Sequence, residues 1–312
     1  MKISFVIPCY GSENTIKSVI DEIEVVMAKI KNYDYEIIAV NDCSPDGVWN
    51  ELLTIAAKNK KVKLIHLAKN MSRHGALMAG FSRVSGEYIA VLDDDGQCPM
   101  DKFPEMLKKI EEGHDVVVAK YTEYKQKIWK SFGTLINRKM TESIMGKPKD
   151  ICFSNFGIMR RYVVDEIVKY KNPYPYVTGL ILRTTRDIVN VEMEERTRIA
   201  GGSNFTLKKC FDLWMNGFTA FSVKPLRISS ILGVITAGFG FIYGLIIIIT
   251  KLSNPEAIDP GYSSIVALLL FVGGMIMLML GMIGEYVGRI YISINNSPQY
   301  VIKEEVNFEK KN

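Results

Sequence analysis

The sequence contains few cysteines, and they form no pattern that would bind zinc or build a disulfide framework. No C-x-x-C motif occurs, and the five cysteines are scattered along the chain as Cys9, Cys43, Cys98, Cys152 and Cys210. An odd and dispersed set of this kind is typical of reduced thiols in a cytosolic compartment. We therefore expect free thiols and no zinc site.

Two glycine-rich phosphate-binding motifs are also absent. The first strand-like run is followed by PCYGSEN, where a dinucleotide fold would have G-x-G-x-x-G, and no P-loop of the form G-x-x-x-x-G-K-[ST] occurs. The formal net charge is +5, and no run rich in lysine and arginine is interleaved with aromatic residues. Dehydrogenase and NTPase functions are therefore disfavoured, and nothing indicates a nucleic-acid partner.

A cleavable secretory signal is missing from the N-terminus. The chain opens on KISFVIP, which is typical of a strand rather than of a basic leader followed by an apolar segment. We therefore expect that the part of the chain that carries any chemistry is not exported by that route.

Charged residues are absent from two long runs, Ile228–Thr250 and Ser263–Gly284. Each is long enough for the ~20 residues that cross a hydrocarbon core. Buried helices of a soluble protein are the alternative, but they are rarely so long and so apolar. The linker between the runs has Lys251 as its one basic residue, whereas the outer flanks carry Lys208, Lys209, Lys224, Arg227, Arg289 and Lys303. By the positive-inside rule, the sequence predicts a multi-pass protein of the cell inner membrane or plasma membrane, with both termini and the catalytic domain in the cytoplasm.

Strand-like and helix-like patterns alternate over residues 1–120. Apolar residues recur at helical spacing after the first strand, and Ser12 is a plausible N-cap for that helix. The predicted strands are Ile3–Ile7, Glu36–Val40, Lys63–Leu67, Tyr88–Leu92 and Val116–Ala119. Uninterrupted apolar strands in this alternation indicate an α/β fold with a parallel sheet covered on both faces. Each strand ends in polar or turn-forming residues, so we expect these residues to meet at one rim, where such sheets bind ligands.

The fourth strand ends in three adjacent carboxylates, within the stretch VLDDDGQCP. Asp93, Asp94 and Asp95 would repel one another and raise each other's pKa unless a cation were near. Mg²⁺ and Mn²⁺ bind through one or two carboxylates together with substrate phosphates, which favours a metal that holds a diphosphate. A solvated acidic loop is the alternative. At the end of the second strand, Asp42 has two possible roles as well: it can accept a hydrogen bond from a uracil imide or cap the next turn.

Several motifs in order along the chain resemble those of one enzyme family. They are FVIPCYGSENTI, VNDCSPDGVW, KNMSRHGALMAG, VLDDDGQCP, SNFGIMRRYVVDEI, ERTRIAGGSNFTLKK, GFTAFSVKPLR and GEYVGRIY followed by NNSPQYVI. Together they resemble the family 2 glycosyltransferases of the polyprenyl-phosphate type, whose relatives include dolichol-phosphate mannose synthase and the bactoprenol-phosphate glucosyltransferases. The resemblance implies a GT-A fold with a Rossmann-like, mostly parallel sheet, and it covers nearly the whole chain.

The same resemblance assigns roles to individual residues. The family's D-x-D-x-Q motif falls on Asp93, Asp95 and Gln97, which implies that these three residues hold Mg²⁺ or Mn²⁺. The implied catalytic residues are Asp93, Asp95 and Arg198, of which Arg198 would grip phosphate on the acceptor side. The implied substrate-binding residues are Pro8, Tyr10, Asp42, His74, Asp94, Lys120 and Ser203. For His74 a place beside a helix N-cap without chemistry is the alternative, and for Arg198 the alternative is a solvated surface charge.

The chain departs from the family at a position that matters for mechanism. Asn155, in SNFGIMRR, stands where many relatives carry an aspartate that is a candidate base. A phosphate monoester has a second pKa near 6 and is already ionised at neutral pH. We therefore expect that the reaction needs positioning and charge stabilisation more than it needs a base.

The implied layout has four parts. Residues 1–205 form a cytoplasmic GT-A catalytic domain, 206–227 an interfacial amphipathic helix, 228–290 a transmembrane hairpin and 291–312 a charged and flexible cytoplasmic tail. A helix that packs against the core is the alternative for the interfacial segment. Glycines in the second span suggest close helix contact, and relatives form oligomers, so we expect a homo-oligomer.

The implied activity is the inverting transfer of a monosaccharide from a nucleotide-sugar, with uridine as the favoured base, to polyprenyl (undecaprenyl) phosphate at the cytoplasmic membrane face. The product would serve cell-envelope glycan modification. One alternative is a membrane glycosyltransferase with a diacylglycerol or polysaccharide acceptor, although the Q-x-x-R-W motif of processive synthases is absent. Another is a non-catalytic membrane partner that binds a nucleotide-sugar.

Overall fold

The computed structural model describes residues 1–121, 148, 150–194, 196, 224–253, 261–295 and 297–309. The chain divides into two compact units. The first is formed by Met1–Phe211 together with Asn296–Asn312, and the second by Asp212–Asn295.

The described part of the first unit is a sheet with helices on its faces. Its strands are β1 (Lys2–Cys9), β2 (Asp34–Asn41), β3 (Val62–Leu67), β4 (Tyr88–Val91), β5 (Val116–Tyr121), β6 (Gly157–Arg160), β7 (Ile188–Met193) and β8 (Ile302–Val306). Its helices are α1 (Ile16–Met27), α2 (Val48–Lys58), α3 (Ser72–Phe81), α4 (Phe103–Glu111), α5 (Arg161–Val168) and α6 (Val177–Thr184), and a 3₁₀ turn, Met100–Lys102, precedes α4. All five predicted strands are therefore present.

The sheet is mostly parallel, as predicted. The strand order is β7-β5-β6-β4-β1-β2-β3-β8. Pairs β1–β2, β1–β4, β2–β3 and β5–β7 are parallel. Strand β6, which the sequence patterns did not predict, runs antiparallel between β4 and β5. The Rossmann-like α/β class is thus confirmed, with an antiparallel insertion.

The order of strands reverses at β1. From β1 the chain moves to β2 and β3 on one side, and then returns to β4 on the other side of β1. In open α/β sheets the crevice at such a switch point, outside the carboxyl ends of the strands, is where ligands bind. The residues that follow β1 and β4 therefore flank the expected ligand crevice.

Helix α1 shows how the sequence patterns produce this layer. Its buried residues recur three or four positions apart, and they include Ile16, Ile20 and Ile23. Each fully buried isoleucine contributes about 1.5–3 kcal/mol relative to an exposed one. The predicted cap is wrong in detail: the helix begins at Ile16, and Ser12 contributes its backbone carbonyl, which accepts the N–H groups of Thr15 and Ile16 at 3.0 Å each. The Ser12 side chain is buried and does not cap the helix. The N-cap position of α1 is Thr15, three residues after Ser12.

The C-terminal residues form a strand rather than the flexible tail that the charge pattern suggested. Strand β8 pairs antiparallel with the edge strand β3. Before it, Gln299 is buried and its side-chain amide donates to the carbonyls of Tyr170 and Asn172, at 2.7 and 2.8 Å. After it, Asn307 donates to the carbonyls of Ala56 and Val62 at 2.8 Å each. Sheet pairing and these side-chain anchors outweigh the cost of ordering a charged segment.

The second unit contains two long helices, α7 (Lys224–Ser253) and α8 (Tyr262–Ile294). They pack closely at Gly233, where a Cβ would come within 2.7 Å of the Met279 methyl group. Within the described residues one stretch, Phe271–Ile294, is long and apolar enough to cross a membrane, with 24 residues and a mean hydropathy of 1.6. Gly233–Tyr243 is apolar but shorter.

Two spans were predicted, at 228–250 and 263–284, so the described residues support one candidate where the sequence patterns suggested two. Both predicted runs nevertheless lie inside α7 and α8. The candidate reaches ten residues beyond the predicted end, because a span tolerates the charges of Glu285 and Arg289 near its end. Most of the predicted interfacial helix lies outside the described residues; its last four, 224–227, open α7.

Candidate active site

The loop after β1 is tied to the acidic end of β4 through Asp94. The backbone N–H of Tyr10 donates to Asp94 Oδ2 at 2.9 Å, and the Thr15 hydroxyl donates to the Asp94 carbonyl at 2.6 Å. Burial, opposed in part by the Tyr10 hydrogen bond, raises the pKa of Asp94 to about 6. Among the three adjacent carboxylates, Asp94 therefore joins the two sides of the switch point, and its side chain faces the β1 loop.

Asp42, at the end of β2, joins the same rim from the next strand. Its backbone N–H donates to the Cys9 carbonyl at 3.0 Å, and its Oδ1 accepts the N–H of Met71 at 2.6 Å. Asp42 does not cap the turn that follows it; Asn41 does so by accepting the N–H of Ser44 at 3.0 Å. Burial raises the pKa of Asp42 to about 6. The carboxyl group of Asp42 therefore links the end of β2 to the loop before α3, and its pKa lies near neutral pH.

Both carboxylate oxygens of Asp93 are engaged by neighbouring side chains. Arg73 Nε lies 2.8 Å from Asp93 Oδ1, and Asn155 Nδ2 donates to Asp93 Oδ2 at 2.5 Å. Arg73 Nη2 also donates to the backbone carbonyl of Asn155 at 3.1 Å. The sequence patterns missed Arg73, although it lies in the stretch KNMSRHGALMAG directly before His74.

The last part of the acidic motif is tied to residue 196. Gln97 donates its backbone N–H to Asp95 Oδ1 at 3.1 Å and its side-chain amide to the Arg196 carbonyl at 3.1 Å. Arg196 in turn forms ion pairs with Glu22, at 2.6 Å, and with Asp101. Arg196 is therefore held against the end of the acidic motif.

The donor set at the end of β4 fits a divalent cation by its chemistry. Among the described residues no three His, Cys, Asp or Glu side chains converge as a ready-made metal cage. Mg²⁺ and Mn²⁺, however, accept one or two carboxylates when phosphate oxygens complete the coordination. Asp93, Asp95 and Gln97 offer hard oxygen atoms of this kind at one strand end. The residues therefore suit a cation that binds together with a diphosphate.

Three further predicted substrate residues lie near β1 and α3. Pro8 is buried in β1, paired with Val40 of β2, whereas Tyr10 is about half exposed at the rim. His74 is part of the first turn of α3, and its ring meets Tyr176 edge-on at 5.1 Å between centroids. Burial, and secondarily the charge of Arg73, lowers the pKa of His74 to about 3, so its ring is neutral.

Of the three predicted acceptor-side residues, the structure describes Lys120. Lys120 lies in β5 and forms an exposed ion pair with Glu192 of β7 at 2.7 Å. Arg198 and Ser203 lie outside the described residues. The structure thus brings Tyr10, Asp42 and the acidic motif together at one rim, and it gives Lys120 a partner on the neighbouring strand.

A small cavity lies beside Arg73 and Asn155. Its volume is about 40 Å³, and its remaining lining is mainly apolar: Leu77, Val91, Val116, Val118, Phe153, Ser154, Gly157, Met159, Val177, Thr178 and Ile181. This is room for about one water molecule. This cavity is therefore too small for a nucleotide.

A doubly wound sheet with carboxylates and no glycine-rich phosphate loop at its switch point has the ligand crevice of an open α/β fold and fits a transferase of the GT-A class. Matches to models of known protein families identify the particular family. Residues 4–168 match the model of glycosyl transferase family 2, and residues 224–290 match that of the GtrB C-terminal hairpin. The chain belongs to glycosyl transferase family 2, and it is an enzyme of the glycosyltransferase class.

Curated relatives match along nearly the whole chain. An uncharacterized glycosyltransferase, YkcC, of Bacillus subtilis (strain 168) is 33% identical over 99% of this chain and 95% of its own length. A prophage-derived bactoprenol glucosyl transferase of Shigella flexneri is 31% identical over 97% of this chain and 98% of its own. An undecaprenyl-phosphate 4-deoxy-4-formamido-L-arabinose transferase of Klebsiella pneumoniae (strain 342) is 29% identical over 98% and 94%.

A solved structure shares the fold. Glucosyl-3-phosphoglycerate synthase from Mycobacterium tuberculosis, in complex with Mn²⁺, uridine diphosphate and glucosyl-3-phosphoglycerate, superposes with a TM-score of 0.52 at 18% identity. The match covers 70% of this chain and 80% of that one. It confirms the predicted α/β fold of the GT-A type.

Proposed function

We propose that this enzyme transfers a monosaccharide from a nucleotide-sugar, with uridine as the favoured nucleoside, to undecaprenyl or a related polyprenyl phosphate, with inversion at the anomeric carbon. The observation that carries the proposal is the meeting of the Tyr10 loop, Asp42 and the acidic motif at one rim. It occurs in a chain whose full length matches transferases named for bactoprenol and undecaprenyl phosphate. The product would serve the modification of cell-envelope glycans.

The donor lies along the rim in this proposal. Pro8 and Tyr10 flank the nucleoside, and Asp42, when ionised, accepts a hydrogen bond from an N–H of the base. Asp94 acts on the donor through the backbone, because it fixes the position of Tyr10. His74, neutral and packed against Tyr176, shapes the wall behind the nucleoside.

Asp93, Asp95 and Gln97 hold the divalent cation in this proposal. Mn²⁺ or Mg²⁺ supplies charge neutralisation for the leaving nucleoside diphosphate. Solved structures of the M. tuberculosis synthase contain Mn²⁺ or Mg²⁺ with uridine diphosphate, which supports this choice of cation. Gln97 also fixes the start of the acceptor loop through Arg196.

The acceptor side needs cations rather than a base. Arg198 grips the lipid phosphate, and Ser203 and Lys120 assist it. The phosphate oxygen is ionised at neutral pH, since its second pKa is near 6. Asn155, which cannot accept a proton as a carboxylate would, is consistent with a reaction that depends on positioning and electrostatic stabilisation.

The membrane half holds the site at the headgroup layer, where a polyprenyl phosphate keeps its charge. We assign residues 1–205 to the catalytic domain, 206–227 to an interfacial helix, 228–290 to a two-span hairpin and 291–312 to the C-terminal segment. The match of residues 224–290 to a hairpin family supports the two spans. Both termini lie in the cytoplasm in this arrangement, at the cell inner membrane or plasma membrane.

A homo-oligomer completes the proposal. Five glycines of α8 have open space where a Cβ would lie within the described structure: Gly273, Gly274, Gly281, Gly284 and Gly288. Small residues of this kind let helices of neighbouring subunits approach closely in a bilayer.

The test uses the full-length protein in vesicles that contain undecaprenyl phosphate. Labelled nucleotide-sugars are added one at a time, with Mg²⁺ or Mn²⁺ and then with an excess of EDTA. We expect an acid-labile labelled lipid that forms with at least one donor and disappears when the metal is removed. Label that enters diacylglycerol or a polymer, or no transfer with any donor, would refute the proposal.

A further inference from the structure

Asp93 is held in a closed ring of side chains. Its two carboxylate oxygens receive separate donors, Arg73 Nε at 2.8 Å and Asn155 Nδ2 at 2.5 Å. The third side of the ring is the hydrogen bond from Arg73 Nη2 to the backbone carbonyl of Asn155 at 3.1 Å. Neither oxygen can rotate without breaking a contact, so the plane of the carboxylate is fixed.

The ring joins three separate parts of the fold. Arg73 lies at the start of α3, Asp93 lies two residues after β4, and Asn155 lies two residues before β6. The side chains of Arg73 and Asp93 are 31% and 20% exposed, so solvent screens their attraction only in part. A partly buried charge-assisted hydrogen bond is stronger than a surface pair. The ring therefore sets the orientation of Asp93 from outside its own loop.

The chemical nature of the side chain at position 155 determines whether it donates a hydrogen bond or accepts a proton. An asparagine amide donates N–H groups, and here one of them satisfies Asp93. An ionised aspartate at the same place would set a second negative charge against Asp93, with no hydrogen to donate. The side chain at position 155 is therefore an orienting group for the acidic motif, and no proton acceptor is present there.

We propose that Asn155 and Arg73 are positioning residues that orient the Asp93 carboxylate toward the cation and the donor diphosphate. The inference rests on the proposed function, and it deepens it by assigning position 155 to the donor side. Outer partners that orient a metal ligand typically change metal affinity by about 10–100-fold when they are removed. Asn155 and Arg73 act through Asp93, since both donate to its carboxylate.

The experiment compares Asn155→Ala, Asn155→Ser and Asn155→Asp with the unchanged full-length protein. Ser154→Ala is the matched control, because within the described residues its hydroxyl bonds to its own loop: it donates to the carbonyl of Phe156 at 3.2 Å and accepts the N–H of Phe156 at 3.3 Å. The first readout is the dissociation constant of Mn²⁺ in the presence of uridine diphosphate, measured by the loss of the free-ion EPR signal. The second is the separation of kcat from the KM values of donor and lipid acceptor.

We expect all three Asn155 variants to bind Mn²⁺ about 10-fold more weakly, with a similar fall in kcat and an unchanged KM for the lipid phosphate. Ser154→Ala should match the unchanged protein in both readouts. Arg73→Lys should keep part of the Mn²⁺ affinity that Arg73→Gln loses, because a lysine restores the charge but not the forked geometry.

Two results would overturn the inference. If Asn155→Asp raised kcat while Mn²⁺ affinity stayed unchanged, position 155 would be a site for a base. If Asn155→Ala and Asn155→Ser both kept full Mn²⁺ affinity, the ring would be incidental. Because Mn²⁺ binding is measured without turnover, a failure of lipid transfer with every donor would refute the proposed function and leave this readout intact.

Discussion

The two ends of strand β2 carry buried carboxylates in opposite circumstances. At the amino end, Glu36 is 1% exposed and receives hydrogen bonds from Lys63 at 2.8 Å, Ser4 at 2.6 Å and Lys2 at 3.0 Å. Burial alone would raise the pKa of Glu36, but these donors and the backbone of Ser85 lower it to about 2. The chain itself neutralises this charge.

At the carboxyl ends of the strands, the described residues supply no such cation to Asp42, which follows β2, or to Asp94, which lies after the neighbouring strand β4. Within the described residues neither forms an ion pair with lysine or arginine; the backbone N–H of Met71 donates to Asp42, and Asp94 interacts with the backbone N–H of Tyr10 and the side chain of Ser12. Burial raises the pKa of each to about 6. The chain itself therefore neutralises the carboxylate at the amino end, whereas at the carboxyl ends our proposal assigns that role to the bound donor.

The largest effect is expected at the acidic motif. Asp95→Asn should lower transfer of the sugar by at least about 100-fold, because removal of one group that stabilises transition-state charge typically has an effect of this size. The unfolding temperature should stay within a few degrees of the original. Asp21→Asn, at an exposed pair with Lys17 on α1, is the control and should leave transfer unchanged. Full activity of Asp95→Asn would refute the assignment of Asp95 as a metal ligand.

The next effect is on stability, at the amino end. Glu36→Gln should lower the free energy of unfolding by about 2–3 kcal/mol at pH 7, because it leaves Lys2 and Lys63 without their shared counter-charge. Activity per folded molecule should not change.

The pH dependence checks the cause of this loss. The folded pKa of Glu36, about 2, lies below its ordinary value of 4.5, so its contribution is present above pH 4.5 and is lost as the pH falls toward 2. Denaturant titrations between pH 3 and 8 would show the difference between the two proteins shrinking toward acid. A constant difference would contradict the electrostatic explanation.

The contribution of Asp42 to stability should depend on pH in the opposite direction to that of Glu36. Its folded pKa, about 6, lies above the ordinary value of 3.8, so folding is favoured at acid pH and the ionised form costs stability as the pH rises through 6. Asp42→Asn should therefore unfold no more easily than the unchanged protein at pH 8.

Donor binding should show the cost of that substitution. The KM for the nucleotide-sugar should rise about 10-fold in Asp42→Asn, which corresponds to one charge-assisted hydrogen bond. In the unchanged protein, donor affinity should increase as the pH rises through about 6, and the substitution should flatten this step. A step that persists in Asp42→Asn would assign it to another group.

The smallest effect is expected at Lys120, which lies in β5. Lys120→Ala breaks an exposed ion pair, so the unfolding temperature should hardly change. If Lys120 assists the acceptor, the KM for lipid phosphate should rise about threefold, in line with one solvated charge. Glu192→Ala removes the same pair and should leave that KM unchanged. Equal behaviour of the two variants would remove Lys120 from the acceptor site.

Much of the sheet could be predicted because its strands are apolar runs that end in turn-forming residues. Tyr88–Leu92 and Val116–Ala119 were located in this way and lie at β4 and β5. Strand β6 was missed because Gly157–Arg160 is only four residues long and belongs to no alternation. Strand β8 was missed because IKEEV is exposed along its middle, and its place is decided by pairing with β3 rather than by its own composition.

The candidate site also has a part that could be predicted from the sequence and a part that could not. The rim residues Tyr10, Asp42 and Asp93 could be predicted, since each follows a strand whose end the pattern fixes. The orientation of Asp94 toward Tyr10 and the bond between Asn155 and Asp93 could not, because they join residues 84 and 62 positions apart. Spacing along the chain carries no information about such contacts. The pairing of β4 with β1 creates the first, and the antiparallel pairing of β6 with β4 creates the second.

Strand β8 has a consequence for how the enzyme is made. The ribosome produces β8 last, after α7 and α8, yet β8 covers the edge of β3, a strand from the first quarter of the chain. Until the hairpin is complete, that edge presents unpaired backbone groups that invite aggregation. A shortened enzyme that ends before α7 would expose it permanently. We expect a soluble version to need residues 297–309 rejoined through a linker, and biosynthesis of the sheet to finish only when the hairpin has been made.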